Sequence, residues 1–452
     1  MSTTLGWFGI VRLGLVQMSL GGIVALATST LNRVMVVELL LPATLPGLLF
    51  GIHYAAEMLR PRWGHGSDKG GKRTPWIIGG MAVLALSGVG AAGSIALMST
   101  NTTAGIACAV LAYIGIGIGA GAAGTSLLVL VAKSTAPDRK ATAAAIVWTL
   151  MISGTALAAG FAGFMLAPFS MERLIAVSAS ISAIAFTIAV LAIWGVERRV
   201  IDAAEKPKEK PAHSFIEAMK DVLSERDARR MTIFIFISML AFSAQELLLE
   251  PFAGSVFGLT PAETAKLFGS HRAGIVLGMV AGGLLGIFSA KSNSLGRYWV
   301  AGGCFASSAG LFALAAVGLG AESGFLKSVV FSLGVANGIY AVAAIGTMIS
   351  MASIGKGSRE GVRMGMWGAA QAVAFGLGGV VGTASVDIAR VALGSAAAAY
   401  SLLFIIQGVL FAFSTYLAFR LTAAAQAPTE SHRDTELSHQ TNAPLRVHPE
   451  QV

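Results

Sequence analysis

The sequence predicts an all-α membrane protein of twelve transmembrane helices in two similar six-helix halves, and three observations predict it. The 452 residues are 55% hydrophobic and only 12% charged, outside the range of soluble domains of this length. Twelve apolar stretches are each long enough to cross about 30 Å of hydrocarbon. A seven-residue block recurs at the same place in the second and the eighth of them. The 55 Gly against 13 Pro fit the same picture, because membrane helices associate through small residues that let backbones approach.

The stretches lie near 13–36, 44–60, 76–98, 104–132, 143–167, 172–194, 231–250, 264–290, 298–318, 325–354, 364–384 and 391–420. The first has no basic start and no small-residue cleavage site before it, so a retained span is expected and not a signal peptide. The bases fall on one side: Arg60, Arg62, Lys69, Lys72 and Arg73, then Lys133, Arg139 and Lys140, then the run from Arg198 to Arg230, then Lys291, Arg297, Lys356, Arg359 and Arg363. The opposite loops hold Arg173, Lys266, Lys327 and Arg390. Bases collect on the cytoplasmic side of membrane proteins, which places that side and both termini in the cytoplasm. Trp63, Trp76, Trp148, Trp194, Trp299 and Trp367 lie near the same helix ends, where an amphipathic ring prefers the interface. The formal charge of +9 therefore reflects orientation, and no nucleic-acid partner is expected.

The expected organisation is an N-terminal half over 1–196, a cytoplasmic linker over 197–230, a C-terminal half over 231–420 and a disordered cytoplasmic tail over 421–452. Within the linker, Phe215 to Leu223 reads as a short amphipathic surface helix. His439 and His448 in the tail read as solvated. Cys108 and Cys304 both sit in apolar stretches, so neither a disulfide framework nor a metal knuckle is indicated.

The internal repeat pairs Leu49-Phe50-Gly51-Ile52-His53-Tyr54-Ala55 with Leu267-Phe268-Gly269-Ser270-His271-Arg272-Ala273. Trp148 and Trp367 follow the basic loops of the two halves at almost the same offset, which supports parallel repeats. After the second span, Gly64 to Arg73 resembles the major facilitator signature, with Gly64, Asp68, Lys69, Gly71 and Arg73 on its positions. The glycines allow a tight turn there, and Asp68 can accept from helix-end amides and from Arg139, latching that face. The second-half counterpart, Ser292 to Arg297, keeps a glycine and a base but no acid. GxxxG spacings at Gly115/Gly119, Gly117/Gly121, Gly274/Gly278/Gly282 and Gly378/Gly382 read first as helix packing and second as a flat slot for a macrocycle.

Ionisable side chains at bilayer depth are costly unless paired, so each is a functional candidate. His53 and Glu57 lie one turn apart in span two, as do Glu246 and Glu250 in span seven. His271 and Arg272 enter span eight, and Asn32, Arg33 and Glu38 cluster at the end of span one. Arg33 with Glu38 reads as a structural or gate pair. Glu246 and Glu250 could carry a proton or ligate magnesium, or form an interfacial pair held by Arg33 or Arg272. Asn337, Gln371 and Gln407 are isolated. Asp138, Arg139, Arg359, Glu360 and Arg363 read as cytoplasmic latches. A nucleotide-binding P-loop, His-Glu-x-x-His and Gly-x-Ser-x-Gly are all missing from the sequence, so no enzyme is expected.

Several blocks together resemble the PucC/LhaA family, a bacteriochlorophyll delivery branch related to the major facilitators. They are Leu31-Asn32-Arg33-Val34-Met35-Val36-Val37-Glu38-Leu39, Arg60-Pro61-Arg62-Trp63-Gly64, Arg73-Thr74-Pro75-Trp76-Ile77 and Gln245-Glu246-Leu247-Leu248-Leu249-Glu250-Pro251-Phe252. The resemblance covers most of the chain outside linker and tail. It implies an inner or intracytoplasmic membrane of a photosynthetic bacterium, and delivery of bacteriochlorophyll a to light-harvesting antenna polypeptides among the membrane lipids. Pigment-binding candidates are then His53, His271, Glu246 and Glu250, with the two His as possible axial ligands to the chlorin magnesium. The competing expectations for the His pair are a proton-coupled switch or interhelical hydrogen bonds. Two other functions stay open: a proton-coupled transporter of a small solute, which the polar-poor fourth span disfavours, and a non-transporting scaffold for antenna helices.

Overall fold

In a computed structural model, the described residues are 5–59, 72–136, 139–197, 224–289, 295–320, 323–354 and 360–424. Twelve helical rods run through them. The first, α1 (Trp7–Glu38), is composite: a helix Trp7–Thr28, a break at Ser29, a turn Thr30–Arg33 and a π-helical turn Val34–Glu38. Then come α2 (Thr44–Glu57), α3 (Thr74–Met98), α4 (Thr102–Ser134), α5 (Lys140–Met165) and α6 (Met171–Ile193). The second half holds α7 (Arg226–Phe257), α8 (Pro261–Ser289), α9 (Leu295–Gly320), α10 (Ser323–Ile354), α11 (Glu360–Leu393) and α12 (Ala396–Ala424). Eleven of the rods are long and apolar enough to span a bilayer; α2, with 14 described residues, is the twelfth. The chain is a multi-pass membrane protein.

Local chemistry sets the ends of these rods. Asn101 accepts from the Ala104 amide to start α4, and Ser170 accepts from the Arg173 amide to start α6. A reciprocal box opens α8, where Thr260 Oγ1 accepts from the Glu263 amide at 3.3 Å and Glu263 accepts from the Thr260 amide at 2.9 Å. Gly258 ends α7 and Gly394 ends α11 with φ of 66° and 62°, a left-handed conformation that costs glycine nothing.

Two corrections to the hydropathy reading follow. α7 begins at Arg226, inside the expected linker. The turn before the twelfth span is Gly394-Ser395, so Asp387 and Arg390 lie inside α11 and not between spans. A hydropathy window breaks at charges, whereas the chain breaks where its backbone can turn. The amphipathic segment expected at Phe215 to Leu223, and the tail beyond Ala424, lie outside the described residues.

The halves repeat helix for helix. α1 packs on α5 and α6, α2 on α4, and α3 on α4 and α6; six helices later α7 packs on α11 and α12, α8 on α10, and α9 on α10 and α12. Each half has its own apolar core, one around Leu13, Met81 and Leu127 and the other around Phe234, Phe252 and Tyr340. Between the halves run two seams, α2 against α11 and α5 against α8, which the same six-helix shift interconverts. Helices alternate between a basic face, carrying Arg73, Arg139 and Arg363, and an opposite face, carrying Glu38, Leu259 and Gly394.

Candidate functional site

The break at Ser29, with φ −117° and ψ −82°, lays Thr30–Arg33 across α7 and α8 near the opposite face. Asn32 Nδ2 donates to the Leu247 carbonyl at 2.6 Å. Arg33 pairs through Nη1 with Glu38, and its Nη2 donates to the Leu259 carbonyl at 2.5 Å. Gly254 of α7 makes room for this guanidinium: a Cβ there would sit 3.1 Å from Arg33 Nε. The expected Arg33–Glu38 pair is thus formed, and it also ties the first half to the second.

One turn below Gly254, Glu250 is fully buried. Among the described residues, neither of its carboxylate oxygens has a hydrogen bond. The hydroxyls of Ser29 and Thr264 and the guanidinia of Arg33 and Arg272 surround it. Those hydroxyls are already committed, Ser29 donating to the Ala25 carbonyl at 2.6 Å and Thr264 to that of Pro261 at 3.2 Å. Glu246 accepts from Arg272 Nη2 at 2.8 Å, and the guanidinium lies 4.6 Å from the Phe268 ring centre. Of the two partners expected for Glu246, the structure selects Arg272.

His271 lies in a buried polar triad. Its Nε2 is 2.9 Å from Gln245 Nε2 and 3.4 Å from Asn337 Nδ2, and Asn337 donates to Gln245 Oε1 at 3.2 Å. His53, its repeat partner, is equally buried; its Nε2 is 3.6 Å from Glu57 Oε1 and its ring stands edge-on to Tyr54 at 4.9 Å. An aromatic row continues across the seam, from Phe50 through Tyr54 to Phe375 of α11 and Phe242 of α7.

Gly64, Asp68, Lys69 and Gly71 of the expected latch lie outside the described residues. At the basic face the Arg139 guanidinium lies 5.3 Å over the Trp7 ring. The first amides of α3, at Arg73 and Thr74, are accepted by the carboxylate of Glu197. Arg363 donates Nη2 to both carboxylate oxygens of Glu225 at 2.9 Å.

Three of these acids escaped the sequence reading. Asp387 accepts from the Ala43 amide at 3.0 Å, the Thr44 amide at 2.7 Å and Thr44 Oγ1 at 2.6 Å, so an acid of the second half caps the start of α2 in the first. The hydropathy reading places Asp387 between two spans, so the rule that makes an acid within a span a candidate does not reach it. For Glu197 and Glu225, at the ends of the expected linker, the sequence offers no signal.

Two six-helix repeats, joined along α2/α11 and α5/α8, define the class: a major facilitator-type membrane protein. Solved structures agree at the level of fold. A bacterial homologue of the human lysosomal transporter Spinster, in an inward-facing and unoccupied conformation, matches with a TM-score of 0.67 at 15% identity, over 92% of this chain and 96% of that one. A D-xylose-proton symporter matches with a TM-score of 0.64 at 14% identity, over 89% and 97%. Within this class the chain belongs to the PUCC protein family, whose profile matches residues 30–426. It is 46% identical to the bacteriochlorophyll synthase 44.5 kDa chain of Rhodobacter capsulatus, over 94% of this chain and 99% of that protein. It is 28% identical to Protein PucC of Rhodobacter capsulatus, over 82% and 81%, and 28% identical to Protein PucC of Cereibacter sphaeroides, over 81% of both.

Proposed function

We propose that this chain is a membrane factor of light-harvesting complex assembly that binds bacteriochlorophyll a and delivers it to antenna polypeptides. The site of action is the bacterial inner or intracytoplasmic membrane, with the basic face and both termini cytoplasmic. The observation that carries the reading is the relationship to a bacteriochlorophyll synthase chain along nearly the whole length of both proteins. We read the role as delivery and not catalysis; the two-repeat helical fold and the family match across both halves support that reading.

A phytylated pigment is soluble in the bilayer, so a lateral seam suits it better than an aqueous path. The α2/α11 seam offers the aromatic row of Phe50, Tyr54, Phe375 and Phe242 beside His53. In this reading His53 is the first candidate ligand for the chlorin magnesium. His271 is the second; its Nε2 is engaged by Gln245, while its Nδ1 has no hydrogen bond among the described residues. Glu246 is committed to Arg272, and Glu250 belongs to the junction between halves and not to the pigment seam.

The test is the absorption spectrum of the full chain, purified in detergent from a pigmented photosynthetic host, beside a His53→Ala/His271→Ala variant. A stoichiometric near-infrared bacteriochlorophyll band, lost in the variant, is expected. A colourless protein that still captures antenna polypeptides would replace delivery by scaffolding. That second reading has one observation in its favour, a lipid-side groove between α3 and α4 lined by Ser87, Gly90, Gly93, Ser94 and Ala112.

A further inference from the structure

At the crossing of α1, α7 and α8 the charges do not balance. Glu38, Glu246 and Glu250 face Arg33 and Arg272, three carboxylates against two guanidinia. Each guanidinium already pairs with another acid, Arg33 with Glu38 and Arg272 with Glu246, and among the described residues the buried Nε of each has no hydrogen bond. The surplus acid is Glu250, the most deeply buried of the three and, among the described residues, the one whose oxygens have no hydrogen bond while the Ser29 and Thr264 hydroxyls lie beside them. Burying an unpaired carboxylate is costly, and a bound proton removes that cost.

The remaining groups on the surrounding helices do not settle the account. His271 accepts or donates at Gln245 and Asn337. Glu263 closes the capping box of α8, and Lys266 lies against Gly163 of α5. Lys327 of α10 is exposed, and Asp387 of α11 caps α2. The same crossing holds the two halves together, through Asn32 to Leu247 and Arg33 to Leu259.

We propose that Glu250 is a proton-binding site that controls closure between the halves at the opposite face. With a proton on Glu250 the junction is neutral and α1 stays packed on α7 and α8. When the proton leaves, the new charge competes with Glu38 for Arg33 and with Glu246 for Arg272, or draws water into the crossing. Each of these loosens the seal. The inference goes beyond pigment handling and does not depend on it.

Accessibility of a cysteine reporter tests it on the full-length protein in detergent, with Cys108 and Cys304 replaced by serine and alanine. Val36→Cys places a thiol on the π-helical turn of α1, where Val36 is 3% exposed, and Leu40→Cys places one where the side chain is 84% exposed. Labelling of the first by a maleimide, divided by that of the second, removes the pH dependence of the thiol chemistry. The ratio is expected to rise about tenfold between about pH 6 and about pH 8, the factor carried by one unit of differential proton affinity. Glu250→Gln, which keeps the shape and cannot lose a proton, is expected to hold the ratio low at both pH values. Glu250→Asp is expected to retain a pH response, and it decides the matter if the glutamine variant fails to fold. A flat ratio in the Glu250 protein, an equal response in a folded Glu250→Gln protein, or a flat Glu250→Asp ratio where the glutamine variant is unfolded overturns the proposal.

Discussion

The backbone carbonyl of His271 in α8 lies directly against Gly334 in α10, so close that a Cβ on the glycine would overlap it. The same contact exists in the first half, where the His53 carbonyl of α2 lies against Gly117 of α4. The two glycines are 217 positions apart and the two His 218, so the repeat preserves a backbone-to-backbone approach along with a side chain. Small residues at such crossings supply the packing that burial in lipid does not.

Glycine at these positions is therefore a steric requirement. Gly334→Ala and Gly117→Ala are each expected to cost about 1–3 kcal/mol, because the obstructing atom is main chain and cannot rotate aside. Gly93→Ala, with open space around its Cβ position, is expected to be neutral. Thermal unfolding followed by size-exclusion in detergent compares the three. Equal midpoints for Gly93→Ala and Gly334→Ala would show that α8 and α10 are not packed this closely.

The capping of α2 by Asp387 predicts a loss of inter-half contact when the acid is removed. Asp387→Ala is expected to cost about 1–2 kcal/mol, since the Ala43 and Thr44 amides lose their acceptor, and Asp387→Asn less, because an amide oxygen can still accept. The effect should also raise labelling of a cysteine at Ala43, which is 2% exposed. Lower stability without greater accessibility would confine the role of Asp387 to folding.

At the basic face, Glu225 holds the buried guanidinium of Arg363 by three hydrogen bonds. Glu225→Ala is expected to cost about 1–3 kcal/mol, reduced from the fully buried case because the acid is 30% exposed. Glu225→Gln should be milder, as its oxygen still accepts. Unfolding midpoints that rank the two in reverse would contradict this account.

The twelve spans and the two-fold repeat were legible because lipid leaves few choices: every backbone polar group must be satisfied within its own helix, and long apolar runs record that. The pairing of Arg33 with Glu38 was legible for a similar reason, as two opposite charges five residues apart at one helix end. Asp387 was not. Its charge looked like the end of a span, and its meaning lies in the start of a helix 343 positions away. The choice of Arg272 as the partner of Glu246 depended on how α7 meets α8, and the seating of Arg33 on Glu38 and Leu259 on how α1 bends at Ser29; no periodicity announces either.

The triad of Gln245, His271 and Asn337 separates two roles for His271. Asn337→Leu removes a donor to both neighbours, and hydrogen bonds between membrane helices are worth about 0.6–1.7 kcal/mol, so a stability loss in that range is expected. His271 stays in place in this variant and its Nε2 becomes less encumbered. If the histidine ligates pigment, occupancy in Asn337→Leu should equal or exceed that of the parent despite the lower stability. Pigment lost in proportion to the unfolded fraction would instead make the triad a structural joint between α7, α8 and α10, and would leave His53 as the ligand to be tested alone.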